Sequence, residues 1–271
     1  MATRQKTVLV TGASKGVGRG IAIGMAKAGY TVGVNYHRDK AGAEETAKTI
    51  RDSGGTCWIV PGDIGYADQV SGMFQAFLAA AKRIDVLVNN AGVQTWSPLL
   101  DLREEDWDRT IRTNLKGMFL CTQQAARIMK DQPRGQSGDP IRGCIVNIGS
   151  GANKAPFPNL IDYCASKGGI ETFTTVAAVE LGPLGIRVNC VAPGCIEIER
   201  TREEDPNYAG TWAPLTPLRR IGQVKDVADA VVYMAGDSAS FVTGQTLYVD
   251  GALWSQIPWP YETKATGSTG A

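Results

Sequence analysis

Short apolar, β-branched runs alternate with amphipathic stretches along nearly the whole chain. Runs at 6–11, 31–36, 57–61, 85–89, 144–149, 187–192 and 246–249 read as strands, and the stretches between them carry the helical period. Alternation of this kind predicts a parallel sheet with helices on both faces, because each crossover must pass over the sheet before the next parallel strand can begin. Right-handed crossovers make the sheet doubly wound and leave ligands outside the carboxyl ends of the strands. The fold class expected is therefore α/β, one doubly wound parallel sheet of about seven strands. Residues 1–261 are read as a single domain, since α/β folds run to about 250 residues without splitting.

Three stretches break the alternation. Residues 131–142 are polar and rich in Gly, Pro and Gln, and read as a surface insertion before the fifth strand. A long mixed segment spans about 195–222, and connections of that length are either functional or disordered. Residues 262–271 form a tail of low hydrophobicity, read as mobile. No internal repeat is present.

Residues with chemistry collect at the carboxyl ends of the expected strands. After Lys6-Thr-Val-Leu-Val-Thr11 comes Gly12-Ala-Ser-Lys-Gly16-Val-Gly18, and then a helical pattern. Glycines permit a tight turn and close backbone approach, and the helix N-terminus that follows attracts a pyrophosphate. The spacing is Gly-x-x-x-Gly-x-Gly, which differs from the commonest dinucleotide fingerprint; alone it equally suits a turn with no ligand. Further along, Tyr163 and Lys167 stand four apart in Asp162-Tyr-Cys-Ala-Ser-Lys-Gly-Gly169, with Ser150 thirteen residues upstream. On a helix such a pair shares one face about 5–6 Å apart, so an ammonium sits beside a phenol. Tyrosines ordinarily titrate near ~10, and a neighbouring cation favours the phenolate. Three units of change, about 4 kcal/mol, bring a phenol to the working pH of a general acid/base. A bare Tyr-x-x-x-Lys is more often a surface pair, and it is the glycine turn that shifts the balance.

Together these residues resemble the short-chain dehydrogenase/reductase family, whose glycine motif is Thr-Gly-x-x-x-Gly-x-Gly. The resemblance covers residues 6–256 and includes Asn89-Asn-Ala-Gly92, Asn114 in Arg112-Thr-Asn-Leu115, Ser150, Tyr163, Lys167 and Pro193-Gly194. Bacterial glucose 1-dehydrogenases and 3-oxoacyl-carrier-protein reductases are the nearest in pattern. What the resemblance implies is a Rossmann-like sheet and an NAD(P)-dependent oxidoreductase that interconverts a carbonyl and a secondary alcohol. In that chemistry Tyr163 protonates the carbonyl oxygen or deprotonates the alcohol, and Ser150 hydrogen-bonds and aligns the same oxygen. Lys167 tunes the phenol and holds the nicotinamide ribose, and Asn114 fixes a water that relays protons to the lysine.

For the cofactor, the resemblance implies contacts from Gly12, Ser14, Lys15, Gly16, Val17 and Gly18 in the turn. Asp63 is implied at the adenine amino group with Ile64 stacking nearby, and Asn90 and Gly92 run along the adenosine ribose. Tyr163, Lys167, Pro193, Gly194 and Ile196 complete the set, and the segment at 195–222 corresponds to the lid over the substrate. Cofactor choice depends on the tip of the second strand, where a carboxylate accepts the ribose 2′-hydroxyl of NAD. Here that place holds Asn35, which does not repel a 2′-phosphate, and Lys15 and Arg38 are placed to pair with one. NADP(H) is expected over NAD(H), with use of both as the alternative. One departure stands out: four residues beyond Gly194, where the family usually has Thr, this chain has Ile198. Either Thr201 reaches back or that contact is missing.

Composition narrows the rest. In 271 residues, 43% hydrophobic content supports a core and 20% charged residues leave an ordinary surface. A net charge of +1 gives no electrostatic case for nucleic acid or an anionic membrane. No apolar run approaches the ~20 residues of a membrane span, and residues 1–6 lead directly into a strand with no signal-peptide pattern. A cytoplasmic protein is expected. Its six cysteines (Cys57, Cys121, Cys144, Cys164, Cys190, Cys195) include no Cys-x-x-Cys pair, and several sit in strand contexts that favour buried, inert thiols. Cys164 and Cys195 fall near the site motifs, though packing is the simpler role. With His37 the only histidine, no multi-histidine zinc site is available and no metal is expected.

Within the family, Lys154-Ala-Pro-Phe-Pro158 and Val34-Asn-Tyr36 resemble glucose dehydrogenases and tilt the substrate toward a small polyol, sugar or hydroxy-ketone. The alternative is a 3-oxoacyl-carrier-protein reductase, for which Arg127, Lys130, Arg134 and Arg142 offer a basic patch to an acidic carrier. From another class, a non-catalytic cofactor-sensing protein is the competing possibility, against which the intact Asn114, Ser150, Tyr163 and Lys167 stand. A homotetramer or homodimer is expected, on the small residues Ala125, Ala126, Ala165, Gly168, Gly169, Ala177 and Ala178 of the two central helices. The apolar segment Ala252-Leu-Trp-Ser-Gln-Ile-Pro-Trp259 is expected to pack across a subunit boundary, the alternative being its own subunit.

Overall fold

In the computed structural model, which describes residues 4–133 and 140–256, the expected strands pair into one parallel sheet. The strands are β1 (Thr7–Val10), β2 (Thr31–Tyr36), β3 (Cys57–Pro61), β4 (Val86–Asn89), β5 (Gly143–Ile148), β6 (Ile186–Pro193) and, at the far edge, Thr246–Val249. Two short strands from the lid come between these last two in sequence, β7 (Ile196–Glu197) and β8 (Gly222–Gln223), so the edge strand is β9. The order is β3-β2-β1-β4-β5-β6-β9. The small β7–β8 pair forms a separate sheet that the sequence did not announce, because two-residue strands carry no period.

Side-chain alternation along these strands feeds two cores. Val8, Val10, Val86, Val88, Cys144 and Val146 face one layer; Leu9, Leu87 and Ile145 face the other. Both faces are apolar because both are covered. One layer is closed by α1 (Gly16–Lys27), α2 (Lys40–Asp52) and α9 (Val224–Ala235). The other is closed by α3 (Ala67–Ala81), α5 (Gly117–Met129) and α6 (Ile161–Leu181). Between α4 (Glu104–Ile111) and α5 the backbone makes a π-helical turn at Arg112–Lys116. The lid carries α7 (Glu199–Glu204) and α8 (Tyr208–Trp212).

Ala125, Ala126, Ala177 and Ala178 pack in this chain's own second core, so they are not available to a neighbouring helix as the sequence suggested. The large apolar side chains that α5 and α6 leave open are Phe119, Ile161, Val176 and Val179, and Ala165 is exposed too. The expected tail at 262–271, Trp259 and Arg134 lie outside the described residues. Among the described residues no helix is long and apolar enough to cross a membrane.

The amino-terminal ends of the strands are tied together by Asp85. Its carboxylate accepts from Arg4 Nη2 at 2.7 Å, Arg83 Nε at 2.8 Å and the Thr7 backbone N–H at 2.8 Å. Burial alone pushes the Asp85 carboxyl up; the bonds from Arg4 and Thr7 and the Arg83 charge outweigh it and hold it below its usual value. The folded value lies below the unfolded one, so this stabilisation is complete above the ordinary carboxylate range near ~4 and is lost as pH falls through it and below. Asp85→Ala is expected to cost about 2–3 kcal/mol at pH 7, less than for a wholly buried pair because Arg4 is 44% exposed. Asp85→Asn should flatten the fall in melting temperature between about pH 5 and 3. An unchanged acid slope in a thermal melt series would remove Asp85 from that role.

Candidate active site

The strand order reverses at β1, which pairs with both β2 and β4. Val10 stands level with Val34 and Val88, which brings the turn after β1 beside Asn35 and Asn90. That turn is built from the inside. The Thr11 hydroxyl accepts from the Asn90 and Ala91 N–H groups at 2.9 and 3.1 Å. Asn90 Nδ2 in turn donates to the carbonyls of Thr11 at 2.9 Å and Gly12 at 3.1 Å. Gly12 has φ +62°, and a Cβ there would stand 2.8 Å from the Ala91 Cα, so only glycine fits.

Asn35 is buried and its amide is fully engaged. Oδ1 accepts from the Gly12 N–H at 3.1 Å, and Nδ2 donates to the carbonyls of Val60 and Gly62, each at 3.1 Å. It braces the turn from behind. Lys15 and Arg38 are exposed, with no ion pair or side-chain hydrogen bond among the described residues. Ser14 is buried, and its carbonyl takes two bonds from Arg19, at 2.7 and 3.1 Å. Gly16 and Val17 open α1, and its N-terminus has no side-chain cap. Uncapped N–H groups behind a positive-φ glycine turn form a cradle that fits a dinucleotide's pyrophosphate.

Beyond the carboxyl end of β3, the Asp63 carboxylate accepts from the Gly65 N–H at 2.9 Å and lies 3.5 Å from His37 Nδ1. Ile64 is buried beneath Gly117, with its side chain in the second core. Gly92 is exposed and adjoins Asn114, whose Oδ1 lies 3.3 Å from where a Gly92 Cβ would stand.

The four catalytic candidates sit at the carboxyl ends of β4 and β5 and on the helices facing them. Asn114 occupies the π turn, a feature common at functional sites. Its amide accepts from the Val93 N–H at 2.7 Å, donates to the Val93 carbonyl at 2.8 Å and donates to Ser166 Oγ at 3.0 Å. Ser166 Oγ passes a bond to the Tyr163 carbonyl at 2.7 Å, so the π turn is wired to the helical turn that bears the tyrosine. Lys167 is buried, donates from Nζ to the Ile148 carbonyl at 2.7 Å, and holds that nitrogen 5.5 Å from the Tyr163 ring centroid. Ser150 follows β5 in extended backbone, and its hydroxyl accepts from the Ala152 N–H at 3.1 Å. Pro193 ends β6 and Gly194 follows it, with the Gly194 N–H on the Val249 carbonyl at 3.0 Å, and Ile196 is buried in β7.

Sequence reasoning passed over two residues. Asp162 is wholly buried in the first turn of α6, where a carboxylate is favoured by the helix dipole. It accepts from the Tyr163 N–H at 2.7 Å and from Thr110 Oγ1 at 2.6 Å, tying the tyrosine's turn to α4. Its place beside Tyr163 was the available signal. Arg19 bonds the Ser14 carbonyl and stands 3.8 Å from Glu199 on the lid.

Thr201 Oγ1 accepts from the Ile198 N–H at 2.9 Å and caps α7, while Ile198 Cδ1 lies 3.7 Å from where a Gly16 Cβ would stand. The threonine therefore serves its own helix, and an apolar side chain lies over the glycine turn. Trp254 packs on its own chain, against Gly151 and Phe157, as in the alternative the sequence left open. Cys195 is buried, which pushes its thiol up to about 11 and leaves it inert at neutral pH. Among the described residues no group of three His, Cys, Asp or Glu is placed to hold a metal ion.

Comparison with known proteins gives a consistent neighbourhood. A family model described as enoyl-(acyl carrier protein) reductase matches residues 12–253. A 3-oxoacyl-[acyl-carrier-protein] reductase of Staphylococcus aureus is 37% identical over 249 residues, 92% of this chain and 98% of that one. The 3beta-hydroxysteroid dehydrogenase 1 of Eggerthella lenta is 36% identical over 250 residues, 92% of this chain and 93% of that one. Among solved structures, a gluconate 5-dehydrogenase of Burkholderia cenocepacia in complex with NADP and tartrate superposes with a TM-score of 0.83 at 33% identity, covering 93% of this chain and 96% of that one.

Proposed function

The chain belongs to the short-chain dehydrogenase/reductase family as an NAD(P)-dependent oxidoreductase, and from that premise we propose an NADP(H)-preferring enzyme that interconverts a carbonyl and a secondary alcohol. Tyr163 is its proton donor and acceptor. The observation that carries this reading is the fixed placement of a buried ammonium, Lys167 Nζ, 5.5 Å from the Tyr163 ring centroid. The nicotinamide, when bound, supplies or accepts the hydride. Tyr163 gives its proton to the carbonyl oxygen in reduction and recovers it in oxidation. Ser150 donates to the same oxygen and orients it. Lys167 holds its ammonium beside the Tyr163 ring. Asn114 and Asp162 hold the turn, so the phenol needs no reorganisation at the moment of transfer.

NADP(H) is favoured because Lys15 and Arg38, beside the turn and the tip of β2, are without an ion pair among the described residues, and no carboxylate replaces Asn35. A 2′-phosphate gains charge-assisted bonds there that a 2′-hydroxyl cannot make. The double variant Lys15→Ala with Arg38→Ala should weaken NADPH by about a hundredfold, two charge-assisted bonds, and NADH by less than about threefold. Equal losses in a binding titration would overturn the NADP assignment. Oxidation of NADPH with a panel of carbonyl compounds tests the reaction itself, and inactivity across the panel would favour a cofactor-sensing role.

Relatives of similar identity are named for three different substrates: a 3-oxoacyl carrier protein, a 3β-hydroxysteroid and gluconate. Their names do not select one for this chain. The basic residues Arg127, Lys130 and Arg142, which the sequence offered to an acidic carrier, sit at the amino-terminal end of the sheet, about 20 Å along β5 from the catalytic residues, and so lend the carrier-protein reading no support. Turnover of a carrier-bound acyl thioester far faster than the same acyl group on free pantetheine would establish that reading. A second copy of the chain is assigned to the open face of α5 and α6 around Phe119, Val176 and Val179, which is apolar and uncovered in the monomer.

A further inference from the structure

Three aromatic rings from three distant stretches meet beside Ser150. Phe157 lies in the loop between the short helical turn Gly151–Asn153 and α6, Trp212 ends α8 in the lid, and Trp254 follows β9. Phe157 meets Trp254 at a centroid distance of 5.3 Å and 87°, and Trp212 at 5.7 Å and 79°. The two indoles close the triangle at 6.4 Å and 66°. Edge-to-face geometry of this kind is a favoured and rigid arrangement of rings. Tyr208 extends it on the lid side, 6.3 Å from Trp212.

Gly151 fixes the triangle to the catalytic strand. A Cβ there would stand 1.8 Å from Trp254 Nε1, so only glycine lets the indole lie against the residue that follows Ser150. That indole nitrogen is buried with no acceptor, so ring packing holds the indole, while the Trp254 backbone N–H donates to the Asp250 carboxylate at 3.1 Å. Each ring of the triangle is only half-buried, and each keeps apolar surface open.

Apart from the buried Trp254 Nε1, the polar groups of Lys154, Tyr208 and the lid arginines already have partners. The Tyr208 hydroxyl and the Cys195 thiol adjoin one another, and burial pushes both up from their ordinary values. In the lid, Arg202 pairs with Glu197, Arg200 with Glu204 and Arg220 with Asp226, while Arg219 bonds the Pro214 carbonyl. Lys154 sits over the Tyr248 ring at 4.1 Å. No lid cation is left without a partner to receive a carboxylate or a phosphate. A pyranose also stacks on an indole face, but its hydroxyls then need partners at the ring's edge, and the donors here are occupied or buried. Hydroxyls pressed against this wall would lose water and gain nothing. A hydrocarbon ring would gain contact on every side.

We propose that, within the carbonyl/alcohol reaction assigned above, Phe157, Trp212 and Trp254 form a specificity wall that selects substrates bearing an apolar ring, aryl or alicyclic, at the carbonyl, over open-chain polyols and sugar acids. The proposal rests on that reaction and replaces the tilt toward polyols and sugars drawn from the sequence.

The test compares kcat/KM for cyclohexanone and an aryl ketone with that for dihydroxyacetone and a keto-gluconate, using NADPH. Wild type should prefer the ring ketones by about a hundredfold or more, the equivalent of burying one ring face. Trp212→Ala should lower the ring ketones by about tenfold while leaving dihydroxyacetone within about threefold, and Trp212→Phe should restore most of the loss. Equal or better turnover of the polyol and acid substrates overturns the proposal, and so does a Trp212→Ala loss shared equally by both classes. Inactivity toward every carbonyl would strike the reaction assignment. The wall is then judged by binding alone, through a saturable shift in tryptophan emission on titration with cyclohexanol, not produced by glycerol and lost in Trp212→Ala. Absence of that shift in the wild type also overturns it.

Discussion

Tyr163→Phe is expected to lower kcat by about a thousandfold or more, while cofactor affinity stays within about threefold of wild type. The argument rests on what the substitution leaves in place. The backbone of residue 163 is held at both ends, its N–H by Asp162 and its carbonyl by Ser166 Oγ, and neither bond involves the phenol. A phenylalanine ring therefore occupies the same position under Lys167, whose own bond to the Ile148 carbonyl is untouched. What disappears is one hydroxyl, and with it the group that exchanges the proton. General acid/base catalysis supplies about a hundredfold to ten-thousandfold, so most of that factor should go. Steady-state rates in both directions, with a fluorescence titration of NADPH, separate the two quantities. Retention of more than about a tenth of the rate would remove Tyr163 from this role.

The sheet was legible because its strands are covered on both faces. Val8, Leu9 and Val10 feed opposite cores, so an uninterrupted apolar run was the right signature for a buried parallel strand. The turn after β1 was legible for a similar reason, since glycine is forced at Gly12 by backbone alone. Side-chain direction was not. Asn35 was placed at the ribose by its spacing from the glycines, but its amide is engaged with Gly12, Val60 and Gly62, a choice set by the register of β2 against β3. The π turn at Asn114 left no mark on the helical period, because its extra residue is stabilised by a two-way bond to Val93, 21 positions away. Trp254 is the clearest case. An apolar C-terminal segment reports that something covers it, but the gap that receives this indole is made by Gly151, a hundred residues earlier.

The second large effect expected is at Gly18, and its contrast with Gly16 decides the cause. A Cβ on Gly18 would stand 2.2 Å from the Gly12 carbonyl oxygen and 2.4 Å from Asn90 Nδ2. Neither neighbour can yield cheaply. The Gly12 carbonyl is backbone and accepts from Asn90 Nδ2 at 3.1 Å, while the Gly12 N–H is bonded to Asn35 at 3.1 Å. The turn is thus pinned on both sides, and an added methyl must push α1 away from β1. Overpacking of this kind costs about 1–3 kcal/mol and displaces the N–H groups that form the anion cradle. Gly18→Ala should therefore lose about a hundredfold or more in NADPH affinity along with several degrees of melting temperature. Gly16 also has a left-handed backbone, φ +55°, but a Cβ there finds its nearest neighbour, Ile198 Cδ1, at 3.7 Å, an ordinary contact. Its substitution by Ala should cost only the conformational strain, about 1–2 kcal/mol of stability, and less than about tenfold in affinity. Calorimetric titration of both variants ranks them. If Gly18→Ala binds NADPH as tightly as Gly16→Ala, the close approach of Gly18 to Gly12 does not set the cradle, and the site must be held from the Asn90 side alone.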